Sequence, residues 1–182
     1  MFKSLLRTSI VRPTFVSPIA TRAAFFSTSR FALNGSQKVN PKADIFKYHQ
    51  SEGPAAVRYT PDHEWVAIMP DYTAYVGITR YAAEALGDVT FVELPEIGDP
   101  VEIGDSIGSI ESVKSASEIY SPVKGEIIAI NNAASGDPSI VNTDPLGEGW
   151  ITQIKLDTSV NVDEANDSLM TEEEYVASIQ ES

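Results

Sequence analysis

No cysteine occurs in the 182-residue chain, which excludes disulfides, zinc–thiolate centres and a cysteine nucleophile. Any thiol or redox chemistry must therefore come from an attached group. Histidine is almost as scarce. His49 and His63 are the only two, too few for a histidine-rich metal site, and His63-Glu64-Trp65 lacks the second histidine of a helical HExxH motif. There is no glycine-rich phosphate loop and no GxSxG elbow. No apolar run reaches the ~18 residues of a membrane-spanning helix. Carboxylates are plentiful, but without such companions they read as a solvated surface rather than the paired acids of a hydrolase. Nothing here is self-sufficient as a catalyst, and the chain reads as a non-enzyme.

Basic residues are few and unevenly placed. Against 26 Asp+Glu stand 13 Lys+Arg, for a net charge of −13. Eight of the basic residues and one acid, Asp44, fall in residues 1–50, for +7, leaving −20 on the remainder. So acidic a remainder repels phosphate backbones and anionic membranes, which argues against nucleic-acid and membrane partners.

Residues 1–43 are free of acids and rich in Ser and Thr, with Arg7, Arg12, Arg22 and Arg30 interleaved among Leu5, Leu6, Ile10, Val11, Phe15, Phe25 and Phe26. A cationic, amphipathic stretch of this kind is expected of a mitochondrial transit peptide, whereas the arginines break every run that could serve as a secretory core. A disordered basic tail is the other reading of the composition. We expect residues 1–43 to be a transit peptide and linker, removed in part by cleavage between Phe26 and Asp44, and residues 44–182 to form one domain in the mitochondrial matrix.

Within that domain the elements are short. Val66–Met69, Thr73–Ile78, Val89–Leu94, Ser106–Val113, Ile119-Tyr120, Gly125–Ile130 and Ile151–Leu156 are β-branched or aromatic runs bounded by Pro, Gly and Asp, and predict strands. In Ser106–Val113 the apolar positions are not all in phase, which predicts a bulge or bend. Thr79 predicts an N-cap for a helix over Arg80–Leu86 that ends at Gly87. Thr171-Glu172-Glu173-Glu174 reads as a capping box, followed by Tyr175, Val176 and Ile179 on one face. The pattern predicts a mostly β barrel or sandwich with two peripheral helices.

One lysine has an unusual setting. In Glu111-Ser112-Val113-Lys114-Ser115-Ala116-Ser117-Glu118 it lies between two predicted strands, among small residues, where a hairpin would turn. A modifying enzyme needs its target amine exposed on a rigid support, and a hairpin tip provides one. On spacing alone a turn lysine is ordinarily a solvated charge, and both readings stand at this point.

The run Tyr59–Val66, with Val76–Thr79, Ala85–Val89, Phe91–Pro95, Gly104-Asp105, Glu111–Lys114, Tyr120–Glu126, Val141–Pro145 and Gly147–Trp150, resembles the glycine cleavage H-protein family in order and spacing over about residues 57–177. That resemblance implies a lipoyl/biotinyl-type barrel-sandwich hybrid of two small sheets, with lipoate on Lys114 through an amide bond. Its dithiolane would supply the missing sulfur. Lys124 is the nearest competitor, where the family usually has a small polar residue, and is read as surface charge. Ser115 and Glu118 stand where the family more often has Ala and Asp.

The resemblance further implies a carrier that shuttles the aminomethyl group of glycine on lipoyl-Lys114. A pyridoxal-phosphate glycine decarboxylase (P protein) loads it, a tetrahydrofolate-dependent aminomethyltransferase (T protein) unloads it, dihydrolipoamide dehydrogenase (L protein) reoxidises the arm, and a lipoyl/octanoyl transferase or ligase attaches it. It also implies that Glu64 and Glu118 line a cleft for the loaded arm. Biotin on Lys114 is an alternative, disfavoured because Val113 and Ser115 replace the methionines that usually flank a biotinyl lysine. A second alternative is a lipoyl/octanoyl relay for 2-oxoacid dehydrogenases.

Overall fold

The computed structural model describes Val39, residues 53–157 and residues 169–181. The N-terminal address expected from the sequence, Val39 apart, lies outside the described residues.

In chain order the described elements are β1 (Ala56–Tyr59), β2 (Glu64–Ile68), β3 (Thr73–Ile78), α1 (Arg80–Leu86), β4 (Val89–Glu93), β5 (Pro100–Val101), β6 (Ser106–Ser112), β7 (Ala116–Tyr120), β8 (Gly125–Ile130), α2 (Asn132–Gly136), α3 (Ile140–Thr143), β9 (Thr152–Leu156) and, as α4, Glu172–Glu181. All strand pairings are antiparallel. They form a six-stranded sheet in the order β1-β2-β3-β9-β8-β5 and a three-stranded sheet in the order β4-β6-β7.

Strands β2 and β3 are buried along their whole length because each faces two cores. Val66, Ile68, Ala74, Val76 and Ile78 enter the main cluster between the sheets. Their neighbours Trp65, Ala67, Met69 and Tyr75 enter a second cluster, closed by Tyr59, Leu146 and the Tyr175 and Ile179 face of α4. Burial on both sides explains why these strands read as continuous apolar runs rather than alternating ones. A fully buried Val, Ile or Met contributes about 1.5–3 kcal/mol relative to exposure, so α4 supports the domain as directly as the sheets do. Strand β4 faces solvent on one side, with Val89 and Val92 inside and Thr90, Phe91 and Glu93 outside, and its alternation is broken by a register shift between Val89 and Phe91.

Local signals set the element ends. Thr79 Oγ1 accepts the Ala82 amide at 3.3 Å and so caps α1. Gly87 ends the helix at φ 77°, where only glycine avoids a Cβ penalty. Thr171 and Glu174 form the capping box at α4, the Thr171 amide donating to Glu174 Oε2 at 2.8 Å and the Glu174 amide to Thr171 Oγ1 at 3.3 Å. The bend predicted in β6 is a register shift between Ser106 and Ser109. Gly108 takes φ 136° there, and a Cβ on it would sit 2.3 Å from the Glu93 carbonyl oxygen.

Four described elements have no counterpart in the sequence reading, and β2 starts two residues before the expected Val66. Strand β5 has two residues, one of them proline, and sits at a sheet edge. Strand β1 is also an edge, covered by reciprocal 2.9 Å backbone bonds between Tyr59 and Met170. Helices α2 and α3 have five and four residues, too short to show a period.

Lysine-bearing hairpin and acidic cleft

Strands β6 and β7 form the hairpin expected around Lys114, with Ser109 opposite Glu118, Ile110 opposite Ser117 and Glu111 opposite Ala116. Residues 113–115 make the tip. Ser112 organises it: its Oγ accepts the amides of Lys114 at 3.2 Å and Ser115 at 3.1 Å and donates to the Ser115 carbonyl at 3.1 Å. The Ser112 amide donates to the same carbonyl at 2.8 Å. Val113, Lys114 and Ser115 are all exposed, Val113 at 80%. Lys124, by contrast, has its Nζ 2.7 Å from Glu102 Oε1. That carboxylate raises the Lys124 pKa by hydrogen bonding and charge.

One flank of the hairpin borders a small cleft, about 290 Å³ with the solvent at its mouth included. Glu64 and Glu118 both line it, together with Asp62, and its apolar wall includes Ile78, Leu86 and Ile110. The structure thus brings the two sequence-identified carboxylates together and adds a third, Asp62, which the sequence reading missed. No lysine, arginine or histidine is among the described residues that line the cleft. Ser117 of this wall follows Lys114 by three residues, on the strand that leaves the tip.

The two glutamates differ in kind. Glu118 is exposed. Glu64 is 2% exposed and fixed on both sides, one oxygen accepting from the Thr60 hydroxyl and Oε1 from the Tyr120 amide at 3.0 Å. Burial pushes the Glu64 pKa up, and the bonds from Thr60 and Tyr120 offset part of that rise. Because Glu64 belongs to β2 and Tyr120 to β7, this carboxylate joins the two sheets at the cleft floor.

His63 is not among the residues that line the cleft. Its Nδ1 lies 2.9 Å from the Tyr175 hydroxyl, which is also 2.8 Å from Thr79 Oγ1. Burial lowers the His63 pKa, with Asp62 opposing, and raises that of Tyr175. A residue with φ 75° thereby connects α4 to the N-cap of α1. Among the described residues no group of three or more His, Asp or Glu side chains could hold a metal ion.

Two sequence motifs are scaffold. Trp65 Nε1 donates to the Pro145 carbonyl at 2.9 Å. Asn142 accepts the Val89 amide at 2.9 Å and donates to the Gly87 carbonyl at 2.8 Å, so Val141–Pro145 closes the end of α1 rather than forming part of a site.

Two sheets enclosing one core, with a solvent-facing lysine at a hairpin tip beside a cleft, define a barrel-sandwich hybrid of the lipoyl/biotinyl type. The family model for the glycine cleavage H-protein matches residues 57–182. The chain is 50% identical over 145 residues to the mitochondrial glycine cleavage system H protein of Saccharomyces cerevisiae, covering 80% of this chain and 85% of that one. It is 47% identical over 129 residues to the glycine cleavage system H protein of a Psychrobacter species, covering 71% and 99%. The crystal structure of a glycine cleavage system H protein from Mycobacterium marinum superposes with a TM-score of 0.61 at 41% identity, covering 70% of this chain and 98% of that one. The chain belongs to the glycine cleavage H-protein family.

Proposed function

We propose that this protein is the lipoyl carrier of a mitochondrial glycine cleavage system, with lipoate held in amide linkage on Lys114. The observation that carries this reading is the hairpin itself. Lys114 stands at an exposed tip, while Lys124 is bound to Glu102. A cysteine-free chain fits the group, because when bound its dithiolane supplies the sulfur that takes up an aminomethyl unit and passes it on.

The chain's own residues contribute presentation and shelter. The β6–β7 hairpin offers the arm to successive partners, and tethering raises its effective concentration at each active site. Asp62, Glu64 and Glu118 give the cleft a negative potential suited to a cationic amine, and Ile78, Leu86 and Ile110 give it an apolar wall. In glycine cleavage itself no residue of the chain acts as acid, base or nucleophile. The partners are the P, T and L proteins and the lipoyl/octanoyl transferase or ligase.

The same reading assigns residues 44–182 to the carrier domain and residues 1–43 to a matrix-directing transit peptide and linker. Val39, buried in the second cluster with its backbone bonded to Tyr59, favours cleavage between Phe26 and Val39. The name of the Saccharomyces cerevisiae relative, which is described as mitochondrial, supports the same address.

Reconstitution tests the proposal. Lipoylated full-length chain combined with P, T and L proteins should sustain NAD-dependent glycine cleavage, and Lys114→Arg carried through the same lipoylation reaction should sustain none. Activity from the unlipoylated chain, or from Lys114→Arg, contradicts the reading.

A further inference from the structure

We infer that Ser112 is a positioning residue for the acylation of Lys114: its hydroxyl pre-forms the hairpin tip that the acylating enzyme must accept. The inference rests on Lys114 being the acceptor.

Packing does little to hold the tip. Val113 is 80% exposed, and the side chains of Lys114 and Ser115 also face solvent, so residues 113–115 bury almost nothing that would select one conformation. One backbone bond, from the Ser112 amide to the Ser115 carbonyl at 2.8 Å, closes the turn, and the Ser112 hydroxyl fixes the residues inside it. Ser112 Oγ accepts two successive amides, Lys114 at 3.2 Å and Ser115 at 3.1 Å, and donates its own proton to the Ser115 carbonyl at 3.1 Å. These bonds span the turn from its first residue to its last. The lysine is thereby held through its own backbone amide, close to the root of the side chain. Next to the tip the ladder is regular over three pairs, from Glu111 opposite Ala116 to Ser109 opposite Glu118. The hydroxyl therefore sets the direction in which Lys114 leaves a rigid support.

In the acylation step Lys114 Nζ, as the free amine, attacks the carboxyl carbon of lipoyl-adenylate, which forms from lipoic acid and ATP with release of pyrophosphate. A C–N amide bond forms, the C–O bond to AMP breaks, AMP leaves with the electron pair, and the surplus amine proton passes to solvent. The enzyme must close on a four-residue turn whose side chains give it little to grip, so the shape of that turn is much of what it recognises. A pre-formed turn removes an ordering cost at binding and acts chiefly on KM, because the attacking amine is chemically unchanged. Serine at this position also suits the local chemistry, since short hydroxyl side chains bond readily to amides two and three residues ahead.

The test uses full-length protein, lipoic acid, ATP and a lipoate–protein ligase, with Ser112→Ala, Ser112→Thr and Lys114→Arg beside the parent. Ser112→Ala should raise the KM for the carrier about five- to tenfold, the loss of roughly one net hydrogen bond, with kcat within about twofold. Ser112→Thr, which keeps the hydroxyl, should restore the parent KM. Amide exchange at Lys114 and Ser115 should accelerate in Ser112→Ala and nowhere else in the sheet. Faster exchange with an unchanged KM overturns the inference and leaves the acceptor assignment standing. Acylation of Lys114→Arg overturns the acceptor assignment itself. A KM that rises equally in Ser112→Ala and Ser112→Thr assigns the effect to the side chain's shape and also overturns the role of the hydroxyl.

Discussion

Glu64 Oε1 accepts the backbone amide of Tyr120 at 3.0 Å, so a buried carboxylate of one sheet supplies the hydrogen bond that an edge strand of the other sheet needs. Glu64 is therefore both a cleft-lining acid and a structural tie, and substitutions must separate the two roles. Glu64→Ala leaves the Tyr120 amide without its acceptor and should cost about 1–3 kcal/mol. Glu64→Gln keeps an oxygen for that amide and removes the charge, so it should unfold close to the parent in urea. With the arm loaded, Glu64→Gln should also lose the protected aminomethyl group faster. Unchanged decay in Glu64→Gln would remove the carboxylate from the cleft's function.

Stability should depend on pH through two buried groups of opposite sign. The lowered pKa of His63 means that the unfolded chain takes up a proton first as pH falls below the ordinary histidine value of ~6.5, so His63 removes stability on acidification from there downward. The raised pKa of Glu64 means that the folded chain takes up its proton first, so Glu64 returns stability as pH falls through its raised pKa. Asp62, Tyr81 and Tyr175 face the imidazole. Thermal unfolding of the parent and of His63→Gln between pH 7.5 and 5 should show the variant losing less on acidification, and parallel profiles would contradict the account.

The bend in β6 gives a third expectation. Gly108→Ala combines φ 136° with a Cβ 2.3 Å from the Glu93 carbonyl oxygen, so it should destabilise by about 1–3 kcal/mol. It should also separate β4 from β6, visible as faster amide exchange in both strands while β2 and β3 stay protected. Gly136→Ala, where a Cβ meets nothing within 4 Å, is the control and should cost little.

How much of this the sequence carried depended on how local each signal was. The bounds of β3, α1 and β8 were legible because Asp71, Thr79, Gly87 and Gly125 act within a turn of the residues they punctuate, and the capping box at α4 is equally local. The lysine hairpin was legible for the same reason. The depth of Glu64 was not, since its burial comes from Thr60 and from Tyr120, an amide 56 residues away. Asp62 was not legible either, because Pro61 and Asp62 lie in a turn and His63 takes φ 75°, so strand alternation does not relate Asp62 to Glu64. The Tyr175–Thr79 contact joins positions 96 residues apart, and no periodicity encodes that.

The acceptor assignment itself is tested most directly by intact mass. Full-length parent, Lys114→Arg and Lys124→Arg should each be incubated with lipoic acid, ATP and a lipoate–protein ligase, then weighed and melted. Lys114→Arg keeps a long cation in an exposed turn and should unfold within about 0.5 kcal/mol of the parent, but its guanidinium stays protonated and cannot attack an acyl group. The account predicts that the parent and Lys124→Arg each gain the mass of one lipoyl group while Lys114→Arg gains none. A lipoylated Lys114→Arg, or a Lys124→Arg that alone stays unmodified, would contradict it.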